Sequence, residues 1–340
     1  MRKTNIKNLT LPELEDALYD MDEPKYRGKQ IFKWLYEKGS EDFSAMTNLS
    51  KTLTEKLKIH FALSSFKDVE KHQSKDGTIK LVFKLEDDKY VESVIIKSGK
   101  RATICLSTQV GCRYGCVFCA SGLDGFQRDL TTAEMLDQIT YTMFHLNQDL
   151  TNYVFMGMGE PLDNIDNLIK TLIIMNHENA LAIGARRITV STSGIIPAIK
   201  KLKEINLQIN LSISLHATND RLRNKLMPIN KLYSLNELIS VVNAYVKQSN
   251  RKATVEYVLI KGVNDTLADA NALVGIARKL WAKINIIPYS PVTGLSFLPP
   301  LPKGIEKFTT RLTESGADVT VRMSKGDDIK AACGQLAGKK

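Results

Sequence analysis

At 340 residues the chain is long for one ordinary domain, since a domain takes roughly 100–200 residues. It reads as two domains, or as one large α/β barrel with an appendage. Hydrophobic residues at 43% and charged residues at 25% are typical of a packed globular protein and exclude a disordered chain. No apolar run approaches the roughly 20 residues of a membrane helix. The opening MRKTNIKNLTLPELED also lacks the apolar stretch of a signal peptide. A cytoplasmic protein with no membrane partner is expected.

The first 65 or so residues read as short amphipathic helices. LTLPELEDALYDM carries a proline near a helix start, and YRGKQIFKWLYEKG spaces Ile31, Phe32, Trp34 and Leu35 along one face before Gly39. Two alternating runs follow, TIKLVFKL (78–85) and YVESVII (90–96), which predict a β-hairpin or two adjacent strands. From about residue 102 the pattern becomes strand then helix, repeatedly. Strand-like runs are ATICLS (102–107), NYVFMG (152–157), RITVST (187–192), INLSISL (209–215), TVEYVLI (254–260), INIIP (284–288) and ADVTVRM (317–323). Helical segments lie between most of them, among them 131–147, 164–176 and 234–246. Such alternation predicts parallel strands with helices outside, in a full or partial barrel. The expected class is α/β: a partial (β/α)6 TIM-like barrel over residues 98–340. Residues 1–97 precede it as a small helical domain with a β extension. In such barrels chemistry gathers at the C-terminal ends of the strands.

Charge is unevenly spread. The net charge is +10, and residues 181–252 alone hold twelve Lys or Arg against Glu204, Asp220 and Glu237, a local +9. A basic field of this size favours a polyanion, nucleic acid before lipid. The competing reading is an ordinary solvated basic face.

Five cysteines, Cys105, Cys112, Cys116, Cys119 and Cys333, are an odd count with four inside fifteen residues. That is no secreted disulfide framework, and clustered thiols without an export signal point to metal or to chemistry. The run TQVGCRYGCVFCASG places Cys112, Cys116 and Cys119 in a glycine-rich loop directly after a predicted strand. Structural zinc wants four closed ligands, and no fourth follows at suitable spacing. A cubane iron–sulfur cluster held by three thiolates leaves one iron open for an outside ligand.

This Cys-x3-Cys-x2-Cys loop, with Phe118 before its last cysteine, resembles the radical S-adenosylmethionine (SAM) enzymes. FMGMGEPLDN (155–164) resembles their SAM-binding "GGE"-type motif, and STSG (191–194) and SLH (214–216) also close predicted strands. Taken with KYVESV, RNKLMPIN, GVND and the terminal KGDDIKAACGQL, the whole chain is similar to the bacterial radical SAM RNA adenine methyltransferases, the RlmN/Cfr group. The resemblance implies one 4Fe–4S cluster on Cys112, Cys116 and Cys119. It implies two SAM molecules per turnover, bound through Gly159, Glu160, Ser191, Ser214, Leu215, His216 and the position of Ser290. One SAM methylates Cys333, and a second yields a 5′-deoxyadenosyl radical that takes a hydrogen from the new S-methyl group. The resulting methylene radical adds to the adenine, and Cys105 then resolves the covalent link through a transient disulfide with Cys333. Glu92 matches the family's proton acceptor, although by sequence alone it is an acid in an edge strand. Ser290 departs from the family, which usually has Asn there; a hydroxyl is shorter and offers fewer hydrogen bonds than an amide.

The activity so implied is methylation of adenine C2 in 23S rRNA near the peptidyl-transferase centre, and in tRNA next to the anticodon. The runner-up is the Cfr-type reaction at C8 of the same rRNA adenine, which uses the same five cysteines. An electron donor such as flavodoxin or ferredoxin and a monomeric state are also expected. Two other classes share part of the pattern. A radical SAM activase installing a glycyl radical needs neither Cys105 nor Cys333. An iron–sulfur RNA-binding or electron-transfer protein wants a fourth thiolate.

Overall fold

Strands rich in Val, Ile and Leu build one ten-stranded sheet in this computed structural model, which describes residues 3–123 and 125–338. Its members are β1 (Phe66–Gln73), β2 (Ile79–Leu85), β3 (Tyr90–Ser98), β4 (Arg101–Cys105) and β5 (Asn152–Phe155), then β6 (Ile188–Thr192), β7 (Asn210–Ser214), β8 (Ala253–Leu259), β9 (Ala282–Pro288) and β10 (Val319–Val321). Each strand lies beside its sequence neighbours from β1 to β10. The first three junctions are antiparallel, and every junction from β4 to β10 is parallel.

Parallel neighbours require a crossover, and helices supply all six. These are α4 (Thr132–Phe144), α5 (Ile165–Asn176), α6 (Ile196–Glu204), the pair α7 (Asp220–Leu226) and α8 (Leu235–Ser249), α9 (Leu267–Lys279) and α10 (Pro302–Glu314). Capping boxes start α4 at Thr131/Glu134, α8 at Ser234/Glu237 and α9 at Thr266/Asp269; each satisfies amide groups the first turn leaves unpaired. Six crossovers and an open sheet make the expected partial (β/α)6 barrel.

Two expectations change. The hairpin at 78–96 is part of a three-stranded extension, because β1 pairs with β2 from Phe66 to Gln73. FKDVEKHQ lacks the apolar alternation that marks a strand, since β1 is an outer strand with mostly exposed side chains. Glu92 is likewise not in an edge strand. β3 runs between β2 and β4, and Glu92 is only 3% exposed.

The N-terminal helices α1 (Leu11–Tyr19), α2 (Arg27–Tyr36) and α3 (Lys51–His60) bury Leu14, Leu18, Ile31, Phe32, Leu35, Leu53 and Leu57. Trp34 sits at the margin of that core, its indole N–H donating to Asn48 Oδ1 at 2.6 Å and its ring under Lys38 Nζ. These helices dock on the outer face of α4 and α5. Lys7 Nζ meets Asp137 at 2.5 Å with both side chains under 8% exposed, and the Ser65 amide donates to the same carboxylate at 3.1 Å. Glu13–Lys170 and Glu41–His145 pairs flank this contact.

Removing one member of a buried pair leaves an uncompensated charge. Asp137→Ala is therefore expected to cost about 3–5 kcal/mol in urea unfolding. A loss under about 1 kcal/mol would place the pair with screened surface bridges instead.

Candidate active site

The cluster loop leaves the sheet after β4 and is drawn back by a short ladder between Gln109–Gly111 and Phe126–Asp129. Gly111 has φ +75°, and a Cβ there would lie 1.8 Å from the Gly125 carbonyl oxygen. Only glycine allows that approach. The Cys112 amide donates to Gly125 O and the Cys119 amide to Cys116 O, which winds Cys112, Cys116 and Cys119 toward one pocket. Phe118 closes it from one side, edge-on to the His216 ring at 5.0 Å.

Burial pushes all three thiols up, Cys112 to about 12. Amides of Tyr114, Ser121 and Gly122 oppose the rise at Cys112 and Cys119. Among the described residues no three His, Cys, Asp or Glu side chains lie close enough to share a single metal ion. A cubane, in which each thiolate takes a different iron, suits three partly buried soft donors, two of them with N–H groups aimed at sulfur.

The neighbouring strand ends form a cradle. Gly159 has φ +94°, and a Cβ there would meet Gln109 Cβ at 2.5 Å. Gln109 in turn accepts the Glu160 amide at 2.8 Å and donates to Asp129 and Asp163. Glu160 is buried; its Oε2 accepts from both the amide and the hydroxyl of Ser193 at 2.7 Å, and its Oε1 from the Leu162 amide. Burial pushes its carboxyl above the usual carboxylate range and those hydrogen bonds pull it back. Ser191 and Ser214, on adjacent strands, bring their hydroxyls to 3.4 Å. Leu215 is fully buried and its amide donates to Glu256 O.

His216 takes a left-handed backbone (φ +56°), a conformation a non-glycine residue holds only where its surroundings impose it. Asn264 imposes it by donating to His216 O at 2.9 Å. Its Nδ1 accepts the Val258 amide at 3.0 Å, so the ring proton sits on Nε2. Burial, then the nearby Arg223, push it down to about 3. His216 is thus a neutral donor, not a base. Arg223 is 1% exposed and donates to the carbonyls of Ser193, Ser214 and Leu215 and to Asn230 Oδ1. One guanidinium therefore ties the ends of β6 and β7 together beneath the cluster loop. Ser290, where the family has Asn, is buried with its hydroxyl 2.6 Å from that of Ser324.

Two further thiols reach the same mouth. Cys105 ends β4, and burial pushes it up to about 12, with the charge of Cys333 adding to the rise. Cys333 is exposed at the opening, but the surrounding protein still pushes it up to about 11. Its segment is bonded straight to the cluster loop: the Ala120 amide donates to Gly334 O at 2.7 Å and the Ser121 hydroxyl to Leu336 O at 2.6 Å. Glu92 holds the next two residues, its Oε2 accepting the Ala337 and Gly338 amides at 2.9 and 3.3 Å while Lys80 meets its Oε1.

With this geometry in place, comparison with known proteins is informative. Residues 106–271 match the radical SAM superfamily, and residues 4–63 match the ribosomal RNA large subunit methyltransferase N-terminal domain. A protein of Alkaliphilus oremlandii described as a probable dual-specificity RNA methyltransferase RlmN is 46% identical over 100% of this chain and 99% of its own. One of Staphylococcus carnosus with the same description is 43% identical over 99% and 93%. The chain belongs to the RlmN family of radical SAM RNA methyltransferases. A radical SAM methyltransferase crystal structure from Sphaerobacter thermophilus superposes with a TM-score of 0.94 at 42% identity, covering 99% of this chain and 100% of that one. HydG, a maturase of the [FeFe]-hydrogenase, shares the fold alone, with a TM-score of 0.52 at 13% identity over 66% of this chain and 52% of its own.

As an RlmN-family enzyme it uses one 4Fe–4S cluster and SAM, two molecules per turnover. The activase and the non-enzymatic iron–sulfur protein are thereby set aside. The basic window is not one patch. Arg223 is buried, Lys201 pairs with Asp166, and Arg186, Arg187, Arg251 and Lys252 surround the N-terminal ends of strands, opposite the mouth. Lys200 and Lys203 line a groove between α6 and α8 on the barrel's outer wall. No described helix is long and apolar enough to cross a membrane.

Proposed function

We propose that this enzyme methylates C2 of an adenine in 23S rRNA near the peptidyl-transferase centre and C2 of the adenine next to the anticodon in tRNA. The observation that supports methyl transfer through a carrier cysteine, a route the C8 reaction would share, is the convergence of two lone thiols, Cys105 and Cys333, at the mouth that also holds the cluster loop. An adenine carbon between two ring nitrogens resists polar methylation, so a carbon radical is the effective route. Bound SAM and cluster supply the 5′-deoxyadenosyl radical that starts it. Cys112, Cys116 and Cys119 hold the cluster, and the strand ends at Gly159, Glu160, Ser191, Ser214, Leu215, His216 and Ser290 receive SAM. Cys333 carries the methyl group to the base, Cys105 releases the product, and Glu92 accepts the proton lost by the adenine.

For Glu92 to do so, the tail amides of Ala337 and Gly338 must first leave its carboxylate. Residues 1–97 form the RNA-facing accessory unit and 98–340 the catalytic barrel, acting as a cytoplasmic monomer reduced by flavodoxin or ferredoxin. The test is mass spectrometry of a 23S rRNA fragment and of tRNA after turnover by the reconstituted enzyme. 2-Methyladenosine in both RNAs is the expected product. 8-Methyladenosine would assign the Cfr-type reaction instead, and unmodified RNA would reject the function.

A further inference from the structure

The segment that carries Cys333 has a second anchorage, on the β extension rather than on the barrel. Residues 74–78, the turn between β1 and β2, close on themselves: the Ser74 amide donates to Thr78 O at 2.8 Å and the Gly77 amide to Ser74 O at 3.1 Å. Two carboxylates cross between this turn and the chain beyond β10. Asp76 Oδ1 accepts the Thr78 amide of its own turn at 2.9 Å, and its Oδ2 accepts the Gly326 amide at 2.9 Å. Asp328 reaches back, its Oδ1 accepting from Ser74 Oγ at 2.6 Å and its Oδ2 from the Lys75 amide at 3.2 Å. Ionised acceptors make the stronger hydrogen bonds, and each segment supplies one carboxylate to the other.

The contact is also close. Gly326 has φ +70°, and a Cβ there would lie 2.9 Å from both Thr78 Cγ2 and Ala331 Cβ. The Ala331 amide donates to Gly326 O at 2.8 Å, so the chain reverses directly over the turn. Gln335 ties the far side of this reversal to its base. Its Oε1 accepts the Ala332 amide at 3.1 Å, and its Nε2 donates to Asp327 Oδ1 at 2.6 Å and to Pro291 O at 2.9 Å. Cys333 therefore stands on a loop with two feet: an upstream one on residues 74–78, and a downstream one on the cluster loop and Glu92.

The reaction asks different things of the two feet. The downstream one must open, because Glu92 is blocked while Ala337 and Gly338 hold it. Resting on the reading of Cys333 as methyl carrier, we propose that the turn at 74–78 is the fixed foot, with Asp76 and Asp328 as positioning residues that keep the carrier thiol at the mouth while the tail is released. Five residues separate Asp328 from Cys333, so the carrier can stray at most about 18 Å from the turn. Without the turn, the next backbone hold upstream is the Arg322 amide on Ile286 O. That hold is eleven residues away, a reach of about 40 Å. Between them lie only the side-chain contacts of Ser324 with Ser290 and of Lys325 with Lys97 O. Effective concentration falls roughly as the −3/2 power of tether length, so losing the turn dilutes the thiol about three-fold.

The test counts adenines methylated per 5′-deoxyadenosine released. Asp328→Ala cuts both of its bonds to the turn, and the yield should fall about three-fold with SAM binding by equilibrium dialysis unchanged. Asp328→Asn should keep the native yield, because the Ser74 hydroxyl accepts as well as donates and can meet an amide as it met a carboxylate. Asp76→Asn removes the same charge but leaves one acceptor oxygen for two amides, and should uncouple as Asp328→Ala does. A native yield in Asp328→Ala, or equal yields in the two Asn variants, overturns the proposal.

Hydrogen exchange on the native holoenzyme bound to tRNA decides the case even where a variant unfolds. Protection should be lost at Ala337 and Gly338 and kept at Lys75 and Gly326; any other pattern overturns the proposal. A native chain whose Cys333 is never methylated by SAM rejects the carrier reading, and the fixed foot with it.

Discussion

Cys105→Ala is expected to turn the enzyme into a trap for its own substrate. The carrier at Cys333 and the radical step survive, but nothing remains to open the S–CH2–adenine link. Thiolate attack at sulfur is the route by which such links are exchanged, and Cys105 is the thiol beside Cys333 outside the cluster set. Its resting state is instructive. Burial and then the charge of Cys333 push Cys105 up to about 12, while Arg322 pulls it down. Cys105 must shed its proton to attack the adduct, and Arg322 is the cation that favours its thiolate. The readout is a slow, nuclease-sensitive band on a denaturing gel for Cys105→Ala. Cys333→Ala and the double variant should show none. Normal turnover by Cys105→Ala, or a band that persists without Cys333, would sink the two-thiol scheme.

The cluster ligands carry the second large effect. Alanine at Cys112, Cys116 or Cys119 should abolish the visible absorption of the reconstituted protein and reduce SAM cleavage to background, because the loop supplies three soft donors and no spare. Cys119→Ala should do more. Its two successors, Ala120 and Ser121, hold Gly334 and Leu336 of the tail, so disturbing the loop also unseats Cys333. Faster alkylation of Cys333 in Cys119→Ala than in Cys112→Ala is the expected sign. A full iron complement in the triple variant would refute the ligand set.

Much of this architecture is legible in the residues. Apolar β-branched runs announce the parallel strands, because a strand covered on both faces must be apolar along its length. The three clustered cysteines and the GEP turn after β5 announce themselves by spacing. What escaped reading is what acts through the fold. Gln109, Arg223 and Asn264 lie in the family-like stretches TQVGC, RNKLMPIN and GVND, but they bind partners far apart in sequence or orient backbone carbonyls, roles that no local pattern reveals. Arg223 belongs by sequence to the basic window, although its charge is spent inside the barrel. The charge of residues 181–252 is real, but the fold scatters it between the barrel interior, the N-terminal ends of the strands and the outer wall.

The strand that sequence patterning missed has a consequence for how the protein behaves in a crowded solution. An open sheet offers unpaired amides and carbonyls at each border, a template on which other chains can grow. One border here is β10, only three residues long. The other is β1, where Lys67, Asp68, Glu70, Lys71 and His72 stand along FKDVEKHQ and Lys67 is paired with Asp88 on the turn beyond β2. A second copy approaching that border edge to edge must strip water from a row of charges of both signs. The polarity that disguises β1 as a loop also keeps a ten-stranded sheet from acquiring an eleventh strand from its neighbour.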